Sequence, residues 1–546
     1  MIEDHSEVIR KQIADAHKCV RKLSEALAPS VQILIGSGTP RDVDRYYKAS
    51  LIFNRRIQQN PLIIVYCEST EDVQITYKIA TKYSMPIRVR AGGHDHEGEC
   101  SGTNTILIDV SKIAQVTLDP KTKIAQIGPG NRFITLTTAL ANENVMIPHG
   151  TCATVGIAGF TLGGGWGPWT RKEGMCCEHL VGATIMLGNG KVIDVDVDKN
   201  GDVPPLLWAL RGGGGMSYGI VTEFRIQTFK LPSELIRFNL EWNPYAPEDP
   251  DVPTAIYPTV TVLNDWEEVI EATDTSKLIG TNLKISGQPL PEEKYDPMTI
   301  SHNCIMYGYW EGNETDLWAF VRRHFSKGSP VLTIDPTEGG VDPKHAYGEN
   351  LMGSWDRESL HDVFETMGVK TGSPLPPDFD LPAPHKITSR FVNRVGLKDK
   401  GDAQLINSLT SSMILKGNRQ RGLFQYVTLG AISGDYYRKY PDGDSAFPYK
   451  DKQYTIQYQT WWNEKLKRLV KGQNNTVYKR TNRALDWMEE SRDCVIQNTS
   501  GAFISFKDSS IPTRTYFDKS YDRLVEIKKA YSKDKYNHLR TRKTII

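Results

Sequence analysis

Two glycine-rich segments, each with one nucleophilic side chain, constrain this chain more than any other feature. They are RVRAGGHDHEG over Arg88 to Gly98 and PHGTCATVGIAGFTLGGGWG over Pro148 to Gly167. Glycine lets a backbone adopt positive φ or approach a ligand closely. Neither segment matches the G-x-G-x-x-G dinucleotide fingerprint or the G-x-x-x-x-G-K-[ST] phosphate loop. Gly92-Gly93 at the end of a strand instead suggests a turn whose successive N–H groups form an anion nest, with His94 aimed at the bound group. Cys152 is its thiol counterpart, set between His149-Gly150-Thr151 and a run of small residues. Taken singly, the GGH segment reads more readily as a tight turn with a surface histidine, and Cys152 as an inert buried thiol. Together they point to a cofactor held by backbone contacts and covalent bonds.

At 546 residues the chain exceeds a single core, so two domains or one composite are expected. Its 66 Lys+Arg against 65 Asp+Glu give no electrostatic case for nucleic acid. The longest apolar runs, such as Leu62 to Tyr66, are far shorter than the ~20 residues of a membrane span. The start MIEDHSEVIRKQ has no apolar signal region, which predicts a cytoplasmic protein. The eight cysteines form no C-x-x-C pair and no zinc spacing, so no metal is expected and most are read as reduced core residues.

Val8, Ile9, Ile13, Val20, Leu23 and Leu27 predict an amphipathic helix over 6–28 that packs on the body of the protein. A strand at Leu62 to Cys67, a helix from Ser69 to about Tyr83 and a strand at Pro86 to Arg90 follow. Further strands are expected at Ile106 to Val110, Val116 to Leu118 and Ile124 to Gly128, a helix at Phe133 to Glu143, and a hairpin at Gly188-Asn189-Gly190. Four glycines separate a short helix at Leu206 to Leu210 from a strand at Gly219 to Ile226. Beyond Leu231 the composition shifts. Residues 242–254 and 372–385 are proline-rich loops, and His302 to Tyr309, Gly422 to Leu429 and Gln453 to Trp461 predict strands.

Several motifs in this order carry a resemblance to a known family. They are the strand and acidic turn at Ile63 to Asp72, VRAGGHDHEG, LIDVSKI, IGPGNRF, PHGTCATVGIAGFTLGGGWG, LWALRGGGGMSYGIVTEF, FPYKDKQYTIQY and YDRLVEIKKAYSKDKYNHL. The chain resembles the berberine-bridge-enzyme-like branch of the vanillyl-alcohol-oxidase / p-cresol-methylhydroxylase flavoproteins from about residue 35 onward. The resemblance implies an α+β fold. It has a two-part FAD-binding domain of the p-cresol-methylhydroxylase (PCMH) type and a substrate domain with an antiparallel sheet covered by helices. The expected divisions are a helical extension at 1–34, the FAD domain at 35–232, the substrate domain at 233–450, and a C-terminal segment at 451–546 returning to the FAD domain.

The same resemblance implies bicovalent FAD, linked through His94 to the flavin 8α-methyl and through Cys152 to C6. It places pyrophosphate contacts at Ala91, Gly92, Gly93 and His94 and at Gly163, Gly164 and Gly165. Gly219, Ile220 and Val221 lie on the adenosine side, and Val155 beside the flavin face. Arg90, Asp95, Gly156 and Gly159 complete the expected cofactor site. The implied activity is an FAD-linked oxidase of specialised metabolism that takes a hydride from an alcohol, sugar or amine carbon and uses O2 as acceptor. The expected partner is a small-molecule substrate, with neither nucleic acid nor membrane.

On the substrate side the chain departs from the family. Phe506 stands where many members carry a tyrosine base, and it has no proton to exchange. Gln457 occupies a position held by Glu or Gln, and Tyr449 replaces a histidine. Gln453, Thr455, Gln457 and Gln459 share one strand face by the two-residue period. Gln457, Tyr458 and Tyr454 are the catalytic candidates, with Tyr426 and Tyr307 as further possible acids or bases. Lys507 and Asp508 are expected to face away from the flavin, as alternating neighbours of Phe506 on a short strand. Two other functions stay open: a non-redox flavoprotein cyclase on the same scaffold, and a dehydrogenase using another acceptor.

Overall fold

The computed structural model describes residues 2–244, 257–286, 296–334, 383–410, 423–462, 485–531 and 539–545. Most of the proline-rich segments at 242–254 and 372–385, and the side chains of Val8, Ile9 and Ile13, lie outside the described residues.

The N-terminal sheet has four strands in the order Gln32–Ile35, Ile63–Tyr66, Ile106–Asp109, Ile87–Arg90. Ile63 and Ile87 both pair in parallel with Ile106. A crossover helix, Thr70–Lys82, connects two of these strands; Ser69 caps it by accepting from the Asp72 N–H at 3.1 Å. The helix Ile2–Ala26 lays Cys19 and Leu23, with Leu27 just past its end, against Val73 and Tyr77 of that crossover. Layers on both faces explain why Ile106–Asp109 is buried throughout, as parallel strands usually are.

A second sheet of five antiparallel strands has the order Val116–Leu118, Ile124–Ile127, Gly219–Gln227, Leu180–Leu187, Val192–Asp196. Its hairpin closes at Gly188-Asn189-Gly190, where Gly190 takes φ +77°. The third sheet has eight antiparallel strands: Val331–Ile334, Ile236–Trp242, Cys304–Trp310, Leu278–Ser286, Leu423–Ala431, Lys452–Trp462, His385–Asn393 and Thr499–Ser500. One face buries Leu283, Val427, Leu429, Tyr454, Ile456 and Tyr458 under the helices Thr259–Glu271, Glu314–His324 and Lys398–Thr410. The opposite face turns toward the first two sheets. This is the α+β architecture expected from the sequence.

Two details differ from expectation. Lys452–Trp462 pairs on both sides within the eight-stranded sheet, so the division expected at residue 451 falls at the start of one of its inner strands. Ile504–Phe506 is a 3-10 turn, and the alternation that turned Lys507 outward does not apply.

Candidate cofactor and substrate site

The strand Ile87–Arg90 ends in the loop that carries His94. Arg90 is buried beneath it, donating to Asp109 at 2.6 Å and to the Ala49 carbonyl at 2.7 Å. It anchors the loop and does not line the site. Gly93 takes φ +75°. A Cβ on Gly92 would lie 2.7 Å from the Gly156 nitrogen, so only glycine lets the two loops meet backbone to backbone. His94 Nε2 lies 3.0 Å from Thr154 Oγ1, and its ring stacks on Phe53 with centroids 4.0 Å apart. Burial holds the His94 imidazole well below its usual pKa, so it is uncharged at neutral pH.

The second loop is pinned from below. Trp169 Nε1 donates to His149 Nε2 at 2.9 Å, and His149 Nδ1 meets the Gly150 carbonyl at 2.8 Å. A carbonyl only accepts, so Nδ1 carries the proton and the tautomer is fixed. A Cβ on Gly167 would lie 1.7 Å from the His149 carbonyl oxygen, which explains glycine there.

A cavity of about 330 Å³ lies between these loops and the third sheet. Its lining includes Ala91, Gly92, Gly93, His94, Asp95, Cys152, Val155, Gly156, Gly159, Gly163, Gly219, Ile220 and Val221, all candidates from the sequence. Gly164 and Gly165 do not line it; Cβ atoms there would meet Phe447 and Phe160. At Gly159 a Cβ would meet nothing within 4 Å, and at Gly215 only Leu162 at 4.0 Å. The open space at these wall glycines is a cradle that side chains would fill. A nucleophilic imidazole and a thiol open onto it. The residues present therefore fit a dinucleotide flavin.

The third sheet closes the cavity with Asn282, Thr428, Gln457, Gln459, Trp461 and Ile387. Gln459 is locked: its Oε1 accepts from Tyr426 at 2.8 Å and from Trp461 at 3.0 Å. Gln457 lies two residues away on the same face. Tyr454 and Tyr458 do not reach the cavity. They point to the helix side, Tyr454 donating to Glu267 and Tyr458 lying 2.9 Å from Ser408 Oγ. Strand alternation places them opposite Gln457, which corrects their assignment as catalytic candidates. Tyr449 is likewise spent, stacked on Phe391 at 4.2 Å and donating to the Thr515 carbonyl.

Lys507 does line the cavity. It bridges Asp95 at 2.7 Å and Glu99 at 2.9 Å, while Lys386 joins Glu97 to Asp508 and Arg542 reaches Glu99 at 3.2 Å. Burial would raise the Asp95 pKa, but the Lys507 ammonium outweighs it and holds the carboxyl below its usual range. Thr541 and Lys543 also line the cavity. Sequence reasoning missed Phe53, His96, Trp461, Thr541 and Lys543. His96 alone had a local signal, lying two residues beyond His94 in the same motif.

Residues 61–196 match the FAD binding domain family, and residues 502–546 match the berberine and berberine-like family. The chain is 25% identical to the uncharacterized FAD-linked oxidoreductase YgaK of Bacillus subtilis, over 91% of this chain and 94% of that one. BBE-like 1 of Physcomitrella patens superposes with a TM-score of 0.70 at 22% identity, covering 97% and 99% of the two chains. A structure from Acremonium strictum described by the functional roles of the 6-S-cysteinyl, 8α-N1-histidyl FAD in glucooligosaccharide oxidase superposes with a TM-score of 0.72 at 19% identity, covering 96% and 98%. Residues 61–196 thus carry an FAD binding domain, and the chain shares the α+β fold of these solved structures over nearly its whole length. Among the described residues no helix is long and apolar enough to cross a membrane.

Proposed function

We propose that the protein is an oxidase that removes a hydride from a small-molecule alcohol, sugar or amine carbon, using FAD tethered at His94 and Cys152. One observation carries this reading: two nucleophiles far apart in sequence open onto one glycine-walled cavity, closed opposite by a neutral polar sheet face. The linkage stated for the Acremonium strictum oxidase supports the two-point tether. The Thr154 contact occupies His94 Nε2 and leaves Nδ1 as the tethering nitrogen. Held there by His94 and Cys152, FAD would supply hydride acceptance, with O2 as the electron acceptor.

The chain's own groups orient the substrate. Gln459, fixed by Tyr426 and Trp461, presents its amide N–H to Thr428 at 3.3 Å. Gln457 faces the cavity and can accept or donate one hydrogen bond to a substrate hydroxyl or amine, but it holds no proton-accepting charge. Phe53, Ile387, Trp461 and Phe506 form an apolar wall that excludes water from the reacting carbon. Phe506 and Gln457 in place of the usual bases favour a second reading, a cyclase that binds FAD without redox turnover.

Three measurements test the proposal. Yellow colour should stay with the acid-precipitated protein. Anaerobic addition of substrates from a panel of alcohols, sugars and amines should bleach the flavin with at least one compound, and that compound should release H2O2 in air. Colourless precipitate overturns the tether. Covalent flavin that no compound bleaches favours the cyclase.

A further inference from the structure

Two imidazoles flank the Phe53 ring beside the cavity, and a third, His96, meets one of them. Phe53 stacks on His94 and lies 5.9 Å from the His385 ring. His96 Nδ1 lies 2.9 Å from His385 Nε2. His385 Nδ1 lies 2.9 Å from the Ala383 carbonyl oxygen.

These contacts fix the protons. The Ala383 carbonyl can only accept, so His385 carries its proton on Nδ1 and its Nε2 is a bare acceptor. His96 must then donate from Nδ1, which leaves the lone pair of His96 Nε2 uncommitted. Burial keeps both rings neutral, lowering His96 to about 4 and His385 well below its ordinary value. His96 lines the same cavity as His94. The charges around it are mixed: Asp95 and Glu97 favour an imidazolium there, and Lys507 and Lys386 oppose it.

The other ionisable groups described on the cavity wall are committed. Asp95 and Lys507 are paired with each other. Lys543 donates to the carbonyls of Ser509 and Ile511. Burial pushes the Cys100 thiol up to about 12. Apart from His94 and Cys152, His96 is the one described ionisable wall residue left with an uncommitted acceptor nitrogen.

We propose that His96, positioned by His385, is the base that accepts the proton lost from the flavin 8α-methyl group as His94 becomes attached. This rests on the tether proposed above. The C–H bond at 8α breaks and its proton goes to His96 Nε2, while a bond forms between that carbon and His94 Nδ1. The electron pair of the C–H bond passes into the flavin ring and from there to dioxygen. The two protons, one from the methyl and one from the His94 imidazole, leave with those electrons as hydrogen peroxide. Linkage at Cys152 needs no methyl proton removed and serves as an internal control.

The experiment adds FAD in air to full-length protein produced flavin-free and weighs the peptides bearing residues 94 and 152 over time. The wild type should gain flavin mass on both. His96→Gln keeps a donor to His385 but has no base. It should modify residue 94 roughly 10²-fold more slowly or worse, with Cys152 modified as before. His96→Ala should recover attachment at residue 94 when imidazole is added. Attachment at residue 94 at the wild-type rate in His96→Gln overturns the role of His96 alone. Absence of flavin mass on the wild-type residue 94 peptide overturns the tether, and this proposal with it. If His96→Gln takes up flavin at neither position, His96→Ala decides: rescue by imidazole supports the base, and failure of rescue overturns it.

Discussion

The cofactor cradle and the sheet that faces it enclose one cavity but are built by opposite means. The cradle is backbone. Gly92 meets Gly156, Gly93 turns left-handed, and Gly159 leaves open space, all within two short stretches of chain. The facing wall is side chain. Asn282, Ile387, Thr428 and Gln457 come from four strands whose order in the sheet differs from their order in sequence. A binding surface made of backbone can be written in contiguous motifs, because its requirement is the absence of side chains. A surface made of side chains across a sheet is set by register, which no local stretch records.

The sharpest way to break this contrast is to remove the tethers. The double variant His94→Ala/Cys152→Ala should lose all covalent flavin, leaving the acid precipitate colourless and the supernatant yellow. Each single variant should keep one linkage. Covalent flavin surviving in the double variant would mean the cradle is not the attachment site.

The next effect lies in the charges that bind the cradle to the C-terminal segment. Lys507→Met leaves Asp95 and Glu99 without their shared cation, in a setting where Glu99 is only 5% exposed. Breaking a buried ion pair from one side costs ~3–5 kcal/mol. The denaturant midpoint should fall accordingly, and flavin content with it.

The smallest effect separates the two regions by pH. On the helix side of the sheet, burial beside Glu267 and Asp399 pushes Asp402 up to about 7. An unfolded aspartate titrates near ~3.9. Asp402 therefore favours folding at low pH, and that contribution disappears as pH rises from ~4 through 7. Asp95 and Asp508 behave oppositely. Their lysine partners outweigh burial and hold both below the usual range, so their stabilisation is present above ~4 and lost as pH falls further. Asp402→Asn should thus raise stability at pH 8 by ~1–2 kcal/mol after solvent screening, and by much less at pH 5. Equal gains at both pH values, from urea melts, would refute the assignment.

The same contrast explains what the sequence disclosed. The strand–helix–strand start, the hairpin at Gly190 and the two glycine loops were legible because each depends on residues close together. Tyr454 and Tyr458 were misplaced although strand alternation alone separates them from Gln457; knowing which face met the cavity required the sheet. Lys507 was misjudged because Ile504–Phe506 winds into a 3-10 turn, and the three-residue pitch undid the alternation. Phe53 and His385 gave no local signal, since they meet His94 and His96 only through the folded chain.

The cavity wall is drawn from residue 53 at one extreme and residue 543 at the other. Lys543 holds the carbonyls of Ser509 and Ile511, and Ile545 donates to Ser217 at 3.0 Å. A ribosome that has released only the first five hundred residues has therefore made His94 and Cys152 but not the Lys543 end of the wall around them.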